Sequence, residues 1–391
     1  MSFGQFLESF LSVTLQVTLV VVGTQYLCRQ TNNSKIACRL WTACHVLVLL
    51  LTAMALNLPH LRLLHPWQGL PGEMVVYLAT LMDHIGAVVL SLWAAGVVIS
   101  LGMLTYGSYS TSRFVAACRT ITGPLRELAA NLALDGFTLR DQKTGPVKLL
   151  WSPDIKTPFC WQLHQPHIVL PEYMLESDAE DVRLVVRHEV EHLRLGHPLQ
   201  LLVQRIVESI FWFHPAVWYA SRQTDLAREF LCDDAACEEQ QESIRYLNLL
   251  VRIVEHSRQS AAVPTEAIPF GQASPATVVR IRRLIELAKS TGSAVPSSRG
   301  SGSHVVMLMC ITAFISQVWL PLNLFASPRS HWSPWPRWSA DTLHDFGIHV
   351  RDYETHGRRT NAFELLEEDG EGHRHFQESP KTNGNPVEDA P

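Results

Sequence analysis

The sequence predicts a mainly α membrane protein: four transmembrane helices, with a cytoplasmic α+β domain inserted between the third and the fourth. Two observations carry the membrane part. Uncharged runs at 9–28, 40–61, 85–112 and 300–328 each come near or exceed the ~20 residues that a helix needs to cross a bilayer. The 391-residue chain is also 47% hydrophobic and only 18% charged, leaner in charge than the ~25% usual for soluble proteins. A third observation sets the insertion. Between the third and fourth runs, 113–300 holds charged, proline-punctuated segments of helical and strand character.

Taken in order, the spans are expected at about 6–27, 40–58, 85–107 and 304–326, so that 1–112 holds three of them. The first is not read as a removable signal, because Met1 to Gln5 carries no positive charge and no small-residue cleavage pattern follows. Orientation comes from the basic residues. Arg29, Lys35 and Arg39 mark the first loop, while only Arg62 marks the second; Arg113, Arg119 and Arg126 follow the third run, and Arg280, Arg282, Arg283 and Arg299 precede the fourth. Basic residues favour the cytoplasmic side, which puts 113–300 inside a cell (inner) membrane and both termini outside. His45 and the pair Asp83-His84 are ionisable groups near membrane depth and hence candidates for function, with an interfacial position the plainer explanation for the pair.

Within 113–300 the expectation is a helix over 113–134, a turn at Asp135-Gly136, and strands within 137–150 and 166–170. Pro153, Pro158, Pro166 and Pro171 place such strands at sheet edges. Ser177 and Glu180 stand at capping-box distance before the next helix. That helix carries Arg-His-Glu-Val-Glu-His at 187–192. His188 and His192, four apart, share one face and can turn both imidazoles toward one ion. Glu189 lies about 100° further round the helix, beside such an ion, where its carboxylate can take a proton from water. The pattern is H-E-x-x-H, a zinc metallopeptidase signature, and tetrahedral zinc then requires a third protein ligand. Glu229 can supply it, with Asp233 one turn on able to accept a ligand's ring N–H. His197 is a weaker candidate, since the motif extended by histidine needs Gly at 195 and His at 198 where Leu195 and Pro198 stand. Glu191 points away from the histidine face toward Arg187 and Arg194, as a solvated ion pair would.

The runs His188-Glu-Val-Glu-His192, Phe211-Trp-Phe-His-Pro-Ala-Val-Trp218 and Arg228-Glu-Phe-Leu-Cys-Asp-Asp234 closely resemble those of the BlaR/MecR-type antirepressor membrane metallopeptidases, peptidase family M fifty-six, a gluzincin group. The resemblance covers about 5–327, with its specific motifs between 152 and 234. It implies a gluzincin-like zinc protease domain, a Zn²⁺ cofactor, a substrate-aligning edge within 157–169, and a cytoplasmic protein substrate that is a repressor-like protein or the chain itself. Self-cleavage in such relatives precedes the last span, which here means 290–303 or the basic helix 280–289. His214 stands where many relatives have Asn and is a candidate transition-state donor, though a structural histidine is the simpler reading. Gly196-His197 stand where an Asp is frequent.

Other classes are narrowed by composition. The net charge of −5 arises in the tail, where 341–391 holds twelve Asp or Glu against five Lys or Arg. No basic stripe marks a nucleic-acid binder, so direct DNA contact is not expected. Eight cysteines without a C-x-x-C pair, in membrane or cytoplasmic segments, are read as free thiols. The tail reads as disordered after an aromatic belt of Trp332, Trp335 and Trp338; with about sixty residues and no S-x-x-K, it is not expected to be a penicillin-binding sensor. A catalytically idle membrane transducer and a quality-control protease remain the competing functions. Oligomeric state is not legible.

Overall fold

The computed structural model describes 3–31, 33–61, 71–122, 147–162, 165–237, 240–259, 275–289, 301–320, 332–333, 335–348, 350, 353–355 and 358–360. The expected turn at 135–136, most of the expected strand segment 137–150, most of the self-cleavage segment 290–303 and the tail beyond 360 lie outside these residues. The described chain is mostly helical. Its residues fall into two compact units, one of 1–13, 51–90 and 316–391, the other of 14–50 and 91–315.

Among the described residues, three helices are long and apolar enough to cross a membrane: α1 (Phe3–Arg29), α2 (Ser34–Asn57) and α3 (Gly72–Ala117). The most apolar window of α3 has no buried residue. At about 1.5 Å per residue, its 46 residues far outrun the ~30 Å of a bilayer core, and the helix absorbs both ends that the sequence reading left as loop. Of the helix expected over 113–134, 113–117 form the last turn of α3 and Arg119–Thr120 a short strand, while 123–134 lie outside the described residues. Within the first unit, Asp83 Oδ1 accepts the Gly4 N–H at 2.6 Å. Within the second, His45 donates to the Trp41 carbonyl at 2.9 Å. The span expected at 304–326 is represented by α9 (Ser301–Ile315), which stops after 15 residues; Pro321 further on disfavours a helical residue at 320.

Four strands form one mixed sheet: β1 (Arg119–Thr120), β2 (Lys148–Ser152), β3 (Phe159–Gln162) and β4 (Pro166–Pro171). Their order is β1-β2-β4-β3, with β2 and β4 parallel and β3 antiparallel to β4, so β3 is an edge. The buried β4 lays Ile168 and Leu170 against Val182, Val185 and Val186 of α4 (Ala179–Arg194). A 3₁₀ turn over Glu172–Glu176 joins them. The Ser177 hydroxyl, expected as a helix cap, instead donates back to the Tyr173 carbonyl, and Asp178 takes the N-cap position without a capping side chain. Asp178 is drawn off by Arg245, while buried Asp181 accepts from Arg245 at 2.6 Å and Arg252 at 2.5 Å.

Gly196, at φ +68°, ends α4 in the left-handed conformation that glycine adopts without steric cost. It reverses the chain directly into α5 (His197–Ile210), followed by α6 (Pro215–Ala236), α7 (Gln240–Gln259) and α8 (Pro275–Lys289). The apolar stretch around 199–218 is thus two helices. The turn between them clasps α3: Trp93 donates its indole N–H to the Ile210 carbonyl at 2.9 Å, and Trp212 covers Gly96 so closely that a Cβ there would stand 2.2 Å from its ring. In the other unit, α10 (Arg337–Asp345) and a hairpin of β5 (Tyr353–Thr355) with β6 (Arg358–Thr360) give part of the expected disordered tail regular structure.

Candidate metal centre

Helix geometry carries His188 and His192 to the same face of α4, and packing of α6 across that face brings up Glu229. His188 Nε2 and His192 Nε2 lie 3.2 Å apart. The two Glu229 oxygens stand 3.6 Å from His188 Nε2 and 3.5 Å from His192 Nε2. The edges of a tetrahedron with bonds near 2.05 Å are about 3.3 Å long, so the three donors already have the spacing of ligands around one ion.

The far nitrogens decide what those donors can hold. His188 Nδ1 faces Asp233 Oδ1 at 3.3 Å and the Tyr246 hydroxyl at 3.0 Å, and that hydroxyl also donates to Asp233 at 2.9 Å. With the His188 proton drawn toward Asp233, its Nε2 presents a lone pair to the other imidazole and to a carboxylate. Lone pairs would converge there, and either a proton on His188 or a metal ion between the donors relieves the repulsion. Charge gives the same answer. Glu189, Glu229 and Asp233 surround the cleft, while one guanidinium, that of Arg280, meets Glu229 at 2.5 Å and Asp233 at 2.6 Å. Two imidazole nitrogens and a carboxylate are donor types that zinc takes in tetrahedral sites, and the carboxylates of Glu229 and Asp233 are held charged beside them. The residues present fit Zn²⁺.

Electrostatics without the ion show how strongly the site asks for positive charge. Burial opposes the His188 imidazolium, yet hydrogen bonds to Asp233 and Glu229 outweigh it and lift the ring to about 9. Burial drives His192 down to about 3 despite Glu229 nearby. For Glu229, burial pushes upward, but Arg280 and the His188 hydrogen bond hold the carboxyl well below its usual range. Asp233 is kept at about 2, because Arg280 and His188 outweigh its own burial. Glu189 differs: burial, reinforced by Glu229, raises it to about 7 against the pull of His188 and Arg280. A carboxyl poised there can both take and give a proton near neutrality. The thiol of Cys160, on edge strand β3, hydrogen-bonds to this carboxylate, which puts the sheet edge beside Glu189.

A pattern for the family described as BlaR1 peptidase M56 matches residues 75–284, more than half of the chain. The chain belongs to that family. Two relatives in it illustrate the similarity. The regulatory protein BlaR1 of Bacillus licheniformis is 31% identical over 84 residues, 22% of this chain and 14% of that protein. The methicillin resistance mecR1 protein of Staphylococcus aureus is 30% identical over 91 residues, 22% of this chain and 15% of that one. The matched region is thus a small part of either relative. For an M56 peptidase a metal, typically zinc, is the implied cofactor, in agreement with the donor set above.

His214 is not among the residues brought together. Its Nδ1 accepts the Ala216 N–H as the N-cap of α6, and its Nε2 donates to the Thr14 carbonyl of α1 at 3.0 Å. Both ring nitrogens are engaged, so the expected transition-state donor is a structural cap tied to α1. Glu191 pairs with Arg194 at 3.6 Å, away from the donors, whereas Arg187 turns to Glu242. The sequence reading missed Arg280 and Tyr246. Arg280, at the start of the basic helix 280–289, is largely enclosed and reaches the site from 47 residues beyond Asp233. No local periodicity signals such a contact.

Proposed function

We propose that this M56 chain is an integral-membrane zinc endopeptidase that cleaves cytoplasmic protein substrates, a repressor-like protein or the chain itself, in signal transduction. In this reading α1, α2 and α3 are spans, α9 begins a fourth within 304–326, 113–300 is the cytoplasmic protease domain, and 328–391 is extracytoplasmic. Supporting it is one juxtaposition: His188, His192 and Glu229 converge beside a buried Glu189 that lies next to a free sheet edge.

Roles follow from position. His188, His192 and Glu229 would hold the zinc ion, which when bound supplies Lewis acidity toward a scissile carbonyl and toward water. Asp233, with Tyr246, fixes the His188 tautomer by engaging Nδ1. Glu189 takes the proton from the attacking water and passes it to the leaving amine, a task suited to a group near 7. The outer edge of β3 can pair with an extended peptide through backbone hydrogen bonds, which reads a protein substrate with loose sequence preference. The names of the two relatives, a regulatory protein and a resistance protein, are compatible with signalling.

The test compares wild-type and Glu189→Gln protein, purified whole, for bound zinc and for cleavage of co-expressed cytoplasmic proteins. The expected outcome is full zinc in both and cleavage lowered by about 10²–10⁴ in the variant. Equal processing by the two forms would end the protease reading and favour an idle transducer.

A further inference from the structure

The two imidazoles of the H-E-x-x-H helix are held differently. His188 leans on a carboxylate. His192 leans on another histidine: His197, 2% exposed at the start of α5, places its Nδ1 2.9 Å from His192 Nδ1. One proton fits between two nitrogens at that distance. His192 offers Nε2 to His188 and Glu229, and a neutral ring that keeps Nε2 bare carries its proton on Nδ1. His192 is then the donor and His197 the acceptor. The His197 proton falls on Nε2, which faces the Cys38 sulfur of α2 at 3.9 Å.

We propose that His197 is a positioning residue for the metal centre: by accepting the His192 Nδ1–H it fixes the tautomer and ring orientation that aim Nε2 into the site. This rests on the zinc reading above. A second metal set made of His192, His197 and Cys232 is the rival use of the same atoms. The spacing disfavours it, since 2.9 Å between the nitrogens suits an N–H···N bond and is tighter than the ~3.3 Å separating two ligands on one tetrahedral ion. It would also take His192 Nδ1 from its hydrogen bond while Nε2 is already committed. The placement has a cause in the chain: Gly196 in its left-handed conformation turns α4 back within one residue, which delivers His197 beneath His192. Through Cys38, the same contact links the site to a helix long and apolar enough to span a membrane.

The experiment uses the full chain in detergent, with zinc affinity measured by chelator competition and the ligand field read from the visible spectrum after cobalt substitution. His197→Asn keeps an acceptor oxygen near the Nδ1 position; His197→Leu and His197→Ala do not. Leu and Ala are expected to weaken zinc binding 10–100-fold and to change the cobalt bands, while Asn restores both to near wild type. Leu binding as tightly as wild type, with unchanged bands, overturns the proposal. So does an Asn variant as weak as Leu, which would make His197 a filler of space. A second tightly bound equivalent that disappears in Cys232→Ser overturns it as well, in favour of the rival metal set. Should Leu fail to fold, Asn against Ala decides. A wild type that binds no zinc is a different failure, because it removes the metal centre and this inference with it.

Discussion

Replacing Arg280 with Met tests how far the site depends on α8. Asp233 has no exposed side-chain surface and is held bidentately by Arg280 at 2.6 and 2.9 Å. Its neighbours, Arg280 first among them, lower its carboxyl from 3.8 to about 2 against the opposing effect of burial, a preference worth about 2 kcal/mol at neutral pH. Because the folded value is depressed, that stability is present above pH 4 and is lost as pH falls toward 2. Removing the guanidinium strands a buried carboxylate, and breaking a buried pair from one side costs about 3–5 kcal/mol. At about 2–4 °C per kcal/mol, thermal unfolding should drop by roughly 6–20 °C. Circular dichroism melts of the detergent-solubilised chain provide the assay. Adding Asp233→Asn to Arg280→Met should recover part of the loss, because the stranded charge disappears with its partner; a coupling of at least ~1 kcal/mol is expected. Melting within about 1 °C of wild type for Arg280→Met, or fully additive costs in the pair, would refute the reasoning.

Two further expectations concern different parts of the molecule. Gly96→Val should destabilise the clasp on α3, since even a Cβ would stand 2.2 Å from the Trp212 ring; a cost of about 1–3 kcal/mol should appear as a lower melting temperature with zinc stoichiometry unchanged. Zinc affinity should depend on pH in one direction: the free site holds a proton on His188 up to about 9, and binding must displace it. Affinity should therefore weaken about tenfold per unit as pH falls from 9 to 7, and a flat profile in competition titrations would contradict the His188 environment described here.

What could be read from the sequence, and what could not, divides along the range of the interactions. The facing of His188 and His192 follows from helix rise alone. Glu229 and Asp233 share a face for the same reason, although their approach to α4 depends on how α6 packs. The resemblance implied an aligning edge within 157–169, where β3 lies at the sheet edge, whereas β4, which its flanking prolines placed at an edge, is interior and pairs with β2 and β3 on its two sides. Arg280 and Tyr246 escaped because each acts across helices whose docking leaves no periodic trace; a buried arginine in an amphipathic helix looks like a solvated one until its partner helix is in place. His214 was left between two readings for the converse reason, since a histidine before Pro215 can cap a helix or serve a site, and the Ala216 N–H and the Thr14 carbonyl favour the structural one. The ends of α3 and α9 differ from the expectation because hydropathy marks apolar content, while helix ends are set by backbone hydrogen bonding. The capping box at Ser177 does not form, because the helix starts one residue later with Asp178 at the N-cap, and the Ser177 hydroxyl donates to the Tyr173 carbonyl.

The central claim is that three side chains from two helices form one divalent-metal site, and the most direct measurement is metal content per chain by mass spectrometry. Full-length protein should carry one zinc, Glu191→Ala should keep it, and His192→Ala and Glu229→Ala should each lose most of it. Retention of a full equivalent by Glu229→Ala, or equal losses in Glu191→Ala and Glu229→Ala, would contradict the account.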